Sequence, residues 1–238
     1  MEISDFFLQK EWLTKEQGRL LMYDFLTTIF SYPHQDLIHY LQDPQFIDDL
    51  SWALPSIKKE CTEPIQSIAS LMSGKKDSHK ALEDLSIEYT RLFINSYEGC
   101  LAPPYESVYM DTERRVMGSC VVKVAALYEY YGFEICKEYS EPPDHIVFEM
   151  AFMKQLIGKE IHQLTTIHDM VLIQQYIEGQ KLFLTEHLGR FAPNFFHDIM
   201  HRSKDPVWQG IAHIGTLFLR EETSYPDGAP RTRGGMAQ

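Results

Sequence analysis

Two short stretches carry residue types that could do chemistry. Pro103-Pro104-Tyr105-Glu106-Ser107-Val108-Tyr109-Met110-Asp111 crowds rings, a hydroxyl and acids into a few positions behind two prolines that fix the approach. Glu141-Pro142-Pro143-Asp144-His145 gathers acids and an imidazole at what reads as a helix entrance. An acid beside an imidazole could serve as acid and base, but adjacent helical residues point about 100° apart, and no nucleophile or metal set accompanies them. The spacing also has a structural reading. Asp144 caps the helix, Glu141 is solvated, and Tyr105 and Tyr109 are half-buried rings at i, i+4.

Other reactive signatures are missing. The sequence has no G-x-S-x-G elbow, no H-E-x-x-H and no G-x-G-x-x-G, and Gly74-Lys75-Lys76 lacks the upstream glycine of a phosphate loop. His197 and His201 stand at i, i+4, as on a metal-binding helix face, yet no third ligand is evident nearby in sequence. Cys61, Cys100, Cys120 and Cys136 are scattered without a CxxC pair and read as reduced, packed thiols. No catalytic residue, metal or cofactor is expected.

The elements that must position these stretches read as helices. Leu21, Phe25 and Ile29 mark a helix over 15–30, with Thr14 and Gln17 at capping-box spacing, and short helices follow over 35–42 and 45–53, each stopped near a proline. Pro64 is expected to split the next stretch. Helical periodicity resumes over 81–93 and over 119–131, where Ser119 stands before the helix and Gly132 at its end. Ile146, Met150, Met153, Ile157, Ile161 and Leu164 trace a long amphipathic helix, followed by helices over 169–188, 193–202 and 205–222. The expected fold is all-α, a single globular bundle of about ten helices over 1–222. A subdivision near 133–143 is one option, and a flexible tail is expected over 223–238.

The 238 residues are 44% hydrophobic and 24% charged, enough for a sizeable core without disulfides. A net charge of −12 repels phosphate backbones and anionic lipid, so neither nucleic acid nor a membrane surface is an expected partner. Met1-Glu2-Ile3-Ser4-Asp5 lacks the basic start of an export signal, and no run of 18 apolar residues occurs, which makes the cytoplasm the expected compartment.

The motifs together resemble a known family. Glu88-Tyr89 before Arg91-Leu92-Phe93, then Pro104-Tyr105-Glu106-Ser107-Val108-Tyr109, then Glu141-Pro142-Pro143-Asp144-His145-Ile146 is similar to the TorD/DmsD/NarJ family of molybdoenzyme maturation chaperones. The resemblance covers roughly residues 15–222. It includes Arg19 and Tyr23 ahead of Phe30-Ser31-Tyr32-Pro33, and the helix from Trp208 to Leu219. The E-P-x-D-H element is its specific part, with Pro143 in the variable position and Tyr105 where some relatives carry tryptophan.

The resemblance implies a cytoplasmic, non-enzymatic chaperone. Its partner would be the N-terminal leader of a molybdopterin-dependent oxidoreductase subunit, a twin-arginine signal in the exported branch, held back until cofactor is inserted. A non-exported client of the nitrate reductase type is the alternative, and a plain helical interaction module stands beside both. Carried over, Glu141, Pro142, Asp144 and His145 belong to the peptide-binding region, with Tyr105, Ser107, Tyr109 and Asp111 lining the neighbouring surface. A basic pair joined to an apolar stretch needs a greasy groove with acids at its rim. Exposed ion pairs contribute only about 0 to 1 kcal/mol, against roughly 1.5 to 3 for each buried Leu or Phe, so apolar burial sets affinity while acids set orientation and salt sensitivity. The connections at 95–104 and 133–143 are plausible hinges, leaving monomer and domain-swapped dimer both open.

Overall fold

The computed structural model of the chain describes residues 3–55, 57–95, 99–112, 115–136 and 140–224, with side chains from Lys10 onward. The first helix, α1 (Ile3–Phe30), starts well before the expected 15–30 segment. The Thr14 hydroxyl donates to the Lys10 carbonyl at 3.0 Å instead of capping a new helix, so the capping box is not used. Helices α2 (Gln35–Gln42) and α3 (Gln45–Ala53) fall on their expected spans. Helix α4 (Lys58–Gly74) runs straight through Pro64, against expectation. Pro64 is buried, and α4 packs along α11 (Pro206–Ser224), whose Gly210 leaves room for Ile68 and the Pro64 carbonyl. Tertiary packing outweighs the lost backbone bond.

Helix α5 (Ser78–Tyr89) is capped by Asp77, whose carboxylate accepts from the amides of His79 and Lys80. It then widens into a π-turn, Thr90–Ile94. The single turn α6 (Glu106–Met110) carries the first motif. Helix α7 (Cys120–Tyr131) ends at Gly132 in the left-handed region, φ 64°, as a C′ glycine should. Helix α8 (Ile146–His162) relaxes into a second π-turn, Gln163–Ile167.

Helix α9 (Met170–Phe183) starts at its Asp169 cap, passes through a third π-turn, Leu184–Leu188, and continues as α10 (Gly189–Arg202) with Pro193 inside it. The expected break between 188 and 193 is therefore a change of helical pitch. Helix α11 reaches Ser224, so Thr223 and Ser224 are helical; the rest of the expected tail lies outside the described residues.

One hydrophobic cluster runs from Met22 on α1 to Leu219 on α11. At its centre Phe30 meets Phe195 at 5.2 Å and Phe93 meets Trp208 at 5.2 Å between ring centroids, both edge-on. Helices α1 with α8, α10 with α11 and α11 with α4 form its principal pairings. No described helix is long and apolar enough to cross a membrane.

Candidate functional site

The two proline-introduced segments meet. Glu106 N donates to the Asp144 carbonyl at 3.0 Å, and Ile146 N donates to the Pro104 carbonyl at 2.8 Å. These bonds form an antiparallel bridge between Tyr105 and His145. Each segment then turns into a helix, α6 on one side and α8 on the other. The Tyr105 and His145 rings stand edge to face, 5.2 Å apart. The Tyr105 hydroxyl donates to Glu141 Oε2 at 2.5 Å, and partial burial together with that carboxylate keeps the phenol well above its ordinary range.

The eight residues expected at the binding surface separate into two layers. Glu141 is exposed, and Tyr105, Tyr109, Asp111 and Pro142 are partly exposed. Ser107, Asp144 and His145 lie beneath, at 0, 0 and 7% exposure. Asp144 does not cap α8. Its Oδ2 accepts from Ser107 N at 2.9 Å, satisfying a free amide of α6 from across the bridge. The α8 cap is His145, whose Nδ1 accepts from Val147 N at 3.2 Å. Burial pushes this imidazole down to about 4 despite nearby Glu141 and Asp144, so it is neutral near pH 7. With His145 spent on a cap and Asp144 on an amide, the acid–base reading loses its geometry.

Tyr109 reaches the other way, its hydroxyl donating to Asp198 on α10 at 3.2 Å. Gly118 lies against Ser107 and Asp111, where a Cβ would come within 3.1 Å of the Ser107 Cβ. On the far flank, exposed Tyr32 meets Tyr89 edge-on at 5.3 Å, and the Glu141 carboxylate lies close enough to raise the Tyr89 phenol, already lifted by burial, to about 12. Tyr32, packed on the buried Tyr89, thus extends the Tyr105–Glu141 surface, an extension the sequence does not predict. Its one trace is Tyr32 at a helix end beside a proline, a place where a ring is left half out.

Glu88 and Arg91, carriers of the resemblance, have another task. Arg91 donates Nε to Glu88 Oε2 at 2.7 Å and Nη2 to the Arg202 carbonyl at 2.7 Å, while Ser203 Oγ and Lys204 N both reach Glu88 Oε1 at 2.7 Å. Burial alone would raise Glu88, yet these donors outweigh it and hold the carboxyl at about 2. The pair staples α5 to the corner between α10 and α11.

His197 and His201 stack on each other at 4.0 Å between centroids, and among the described residues no group of three or more ligating side chains is arranged for a metal. The four cysteines are free thiols.

Comparison with known proteins decides the family. The sequence model described as "Nitrate reductase delta subunit" matches residues 54–197, which include the whole two-segment site. The chain belongs to this family. Two relatives named "Chaperone protein TorD" match over 166 residues. The one from Aliivibrio salmonicida is 27% identical, covering 70% of this chain and 75% of its own. The one from Photobacterium profundum is 24% identical, covering 70% and 74%. A solved structure from Archaeoglobus fulgidus, described as a putative redox enzyme maturation protein, superposes with a TM-score of 0.48 at 22% identity, covering 87% of this chain and 93% of the other. The membership agrees with the resemblance carried by the E-P-x-D-H element, and the TorD relatives bear the name of chaperones, not of enzymes.

Proposed function

We propose that this member of the TorD/NarJ family is a cytoplasmic maturation chaperone. Its ligand is the N-terminal leader of a molybdopterin-dependent oxidoreductase subunit, bound without being transformed while cofactor is inserted. The observation that carries this reading is the backbone bridge between Tyr105 and His145. It brings an exposed carboxylate, Glu141, beside the half-exposed Tyr105 ring on a body with net charge −12.

A leader arginine has Glu141 and Asp111 as anionic partners and tyrosine faces for cation–π contact. Its apolar stretch has Pro142, Tyr105 and the Tyr32–Tyr89 flank. Ordering a flexible leader costs about 2 to 5 kcal/mol, which keeps binding reversible and suits a protein that must pass its client on. Ser107, Asp144 and His145 act from below by fixing the bridge. The working unit is residues 1–222 as one domain, since the core cluster spans α1 to α11.

The test is calorimetric titration of a synthetic twin-arginine leader against the wild type, Tyr105→Ala and Glu141→Gln, whose changes sit at the surface and spare the core. Each variant is expected to weaken binding by about fivefold or more, roughly 1 kcal/mol. Unchanged affinity in both removes the site. A leader with its arginine pair replaced by alanines, if bound as well as the original, assigns the client to the non-exported branch.

A further inference from the structure

Directly beneath the bridge lie three carboxyls. Glu106, Asp144 and Glu149 are 2, 0 and 0% exposed. Glu106 and Glu149 occupy the first turns of α6 and α8, the two helices that leave the bridge. Glu106 meets His187 Nδ1 of the third π-turn at 3.0 Å, and Asp144 Oδ2 takes the Ser107 amide. Asp144 Oδ1 and both oxygens of Glu149 have no hydrogen-bond partner among the described residues.

The titratable groups facing Glu149 come from each element packed around it. They are Glu106 of α6, Asp144 at the start of α8, and Cys120 and Tyr128 of α7, with His187 reached through Glu106. Among the described residues, none of these groups is a lysine or arginine. A carboxylate deprived of both water and donors takes up a proton instead of staying ionised. Once protonated, Glu149 would have a hydroxyl to offer the neighbouring Glu106 carboxyl; ionised, the two only repel. Burial, then the charges of Glu106 and Asp144, push Glu149 well above the ordinary carboxyl range.

We propose that Glu149 is a positioning residue of the leader surface, a neutral acid that ties α8 to α6 and so keeps Tyr105 and Glu141 in register. The inference rests on the leader-binding reading only for its functional consequence. Because the folded chain holds this proton more tightly than the unfolded one, the stabilisation is complete below the ordinary carboxyl range and disappears as pH rises through the raised value.

The experiment compares melting temperature against pH for the wild type, Glu149→Gln and Glu106→Gln, alongside titration of the twin-arginine leader into each. The amide introduced by Glu149→Gln is neutral at every pH and still donates to Glu106. The Glu106→Gln change removes the charge that opposes ionisation of Glu149. Both variants are expected to show a flatter loss of melting temperature than the wild type between about pH 6 and about pH 9. Glu149→Gln is expected to bind leader within about twofold of the wild type at about pH 6 and to surpass it by about threefold or more once pH has risen through the raised value, as located by the melting curves. Melting curves of the wild type and Glu149→Gln that run parallel, or loss of leader affinity in Glu149→Gln at the lower pH, overturn the proposal. If Glu149→Gln does not fold, a Glu106→Gln curve parallel to the wild type does the same. A wild type that binds no leader at any pH defeats the leader reading alone, since the melting curves still judge Glu149.

Discussion

His145 illustrates how one residue of the motif is committed. Its ring accepts the Val147 amide, faces Tyr105 and Phe148, and is 7% exposed. Burial lowers its ionisation to about 4, whereas in the unfolded chain an imidazole titrates near 6.5. Between those values the unfolded chain binds the proton first, so acidification removes stability, up to roughly 3 kcal/mol once pH falls below about 4. His145→Asn keeps a side chain able to cap α8 and cannot titrate in this range. Its melting temperature is therefore expected to fall less than that of the wild type between about pH 6.5 and about pH 4.5. Parallel curves would show that the ring ionises freely. The motif residues themselves were legible in the sequence, because prolines, acids and rings stand out at a helix entrance. Their division into an exposed layer and a buried one was not, since Asp144 and Glu141 look alike until the chain pairs Asp144 with an amide from a segment 37 positions away. Glu149 left a fainter trace, an acid three residues after Ile146 and four before Met153, on the buried face that it shares with Glu160 among apolar neighbours.

At the scale of elements the π-turns decide how the site is braced. The turn Leu184–Leu188 carries His187 toward Glu106, and it closes on Gly189, where a Cβ would lie 2.4 Å from the Leu184 carbonyl oxygen. No side chain fits there without moving backbone, so the wide turn depends on glycine at this position. Gly189→Ala is expected to cost roughly 1 to 3 kcal/mol by overpacking and to shift His187 off Glu106, lowering leader affinity together with melting temperature. A variant as stable as the wild type would show that the turn relaxes to ordinary α geometry at no cost. Wide turns leave little trace in apolar periodicity, which explains why 169–188 and 193–202 read as separate helices while the chain keeps one continuous path. Helices α2 and α3 were easier, because their proline boundaries and short apolar stripes are local signals. Pro64 misled for the converse reason. A local breaker sits where burial against α11 supplies what the backbone lacks.

For the molecule as a whole, the all-helical class was readable from periodicity, but the polar knot that joins distant helices was not. Arg19, 5% exposed, donates Nε and Nη2 to Glu222 at 2.7 and 2.8 Å, and Nη1 to Glu16 at 2.7 Å and to Gln180 at 2.8 Å. Gln180 passes the chain to Glu160, which also takes the Trp12 indole, so that α1, α8, α9 and α11 share one network. Its directly bonded members lie up to 203 positions apart, beyond any spacing rule. Burial, with Glu16 adding to it, raises Glu160 to about 7, while Glu222 and Glu16 have the guanidinium as their counter-charge. Removing Arg19 strands two buried carboxylates, and breaking such a group typically costs about 3 to 5 kcal/mol. For a chain of this size each kcal/mol moves the melting temperature by about 2 to 4 °C, so Arg19→Met is expected to melt roughly 6 to 20 °C lower. Adding Glu16→Gln and Glu222→Gln to Arg19→Met removes the stranded charges and should recover part of that loss. If the triple variant melts no higher than the single one, the cost comes from lost packing around the arginine stem and not from unpaired charge. Because the network lies apart from the Tyr105–His145 bridge, leader affinity measured well below the melting temperature should change by less than about twofold in Arg19→Met. A larger loss would mean that the bridge and the knot are one cooperative unit.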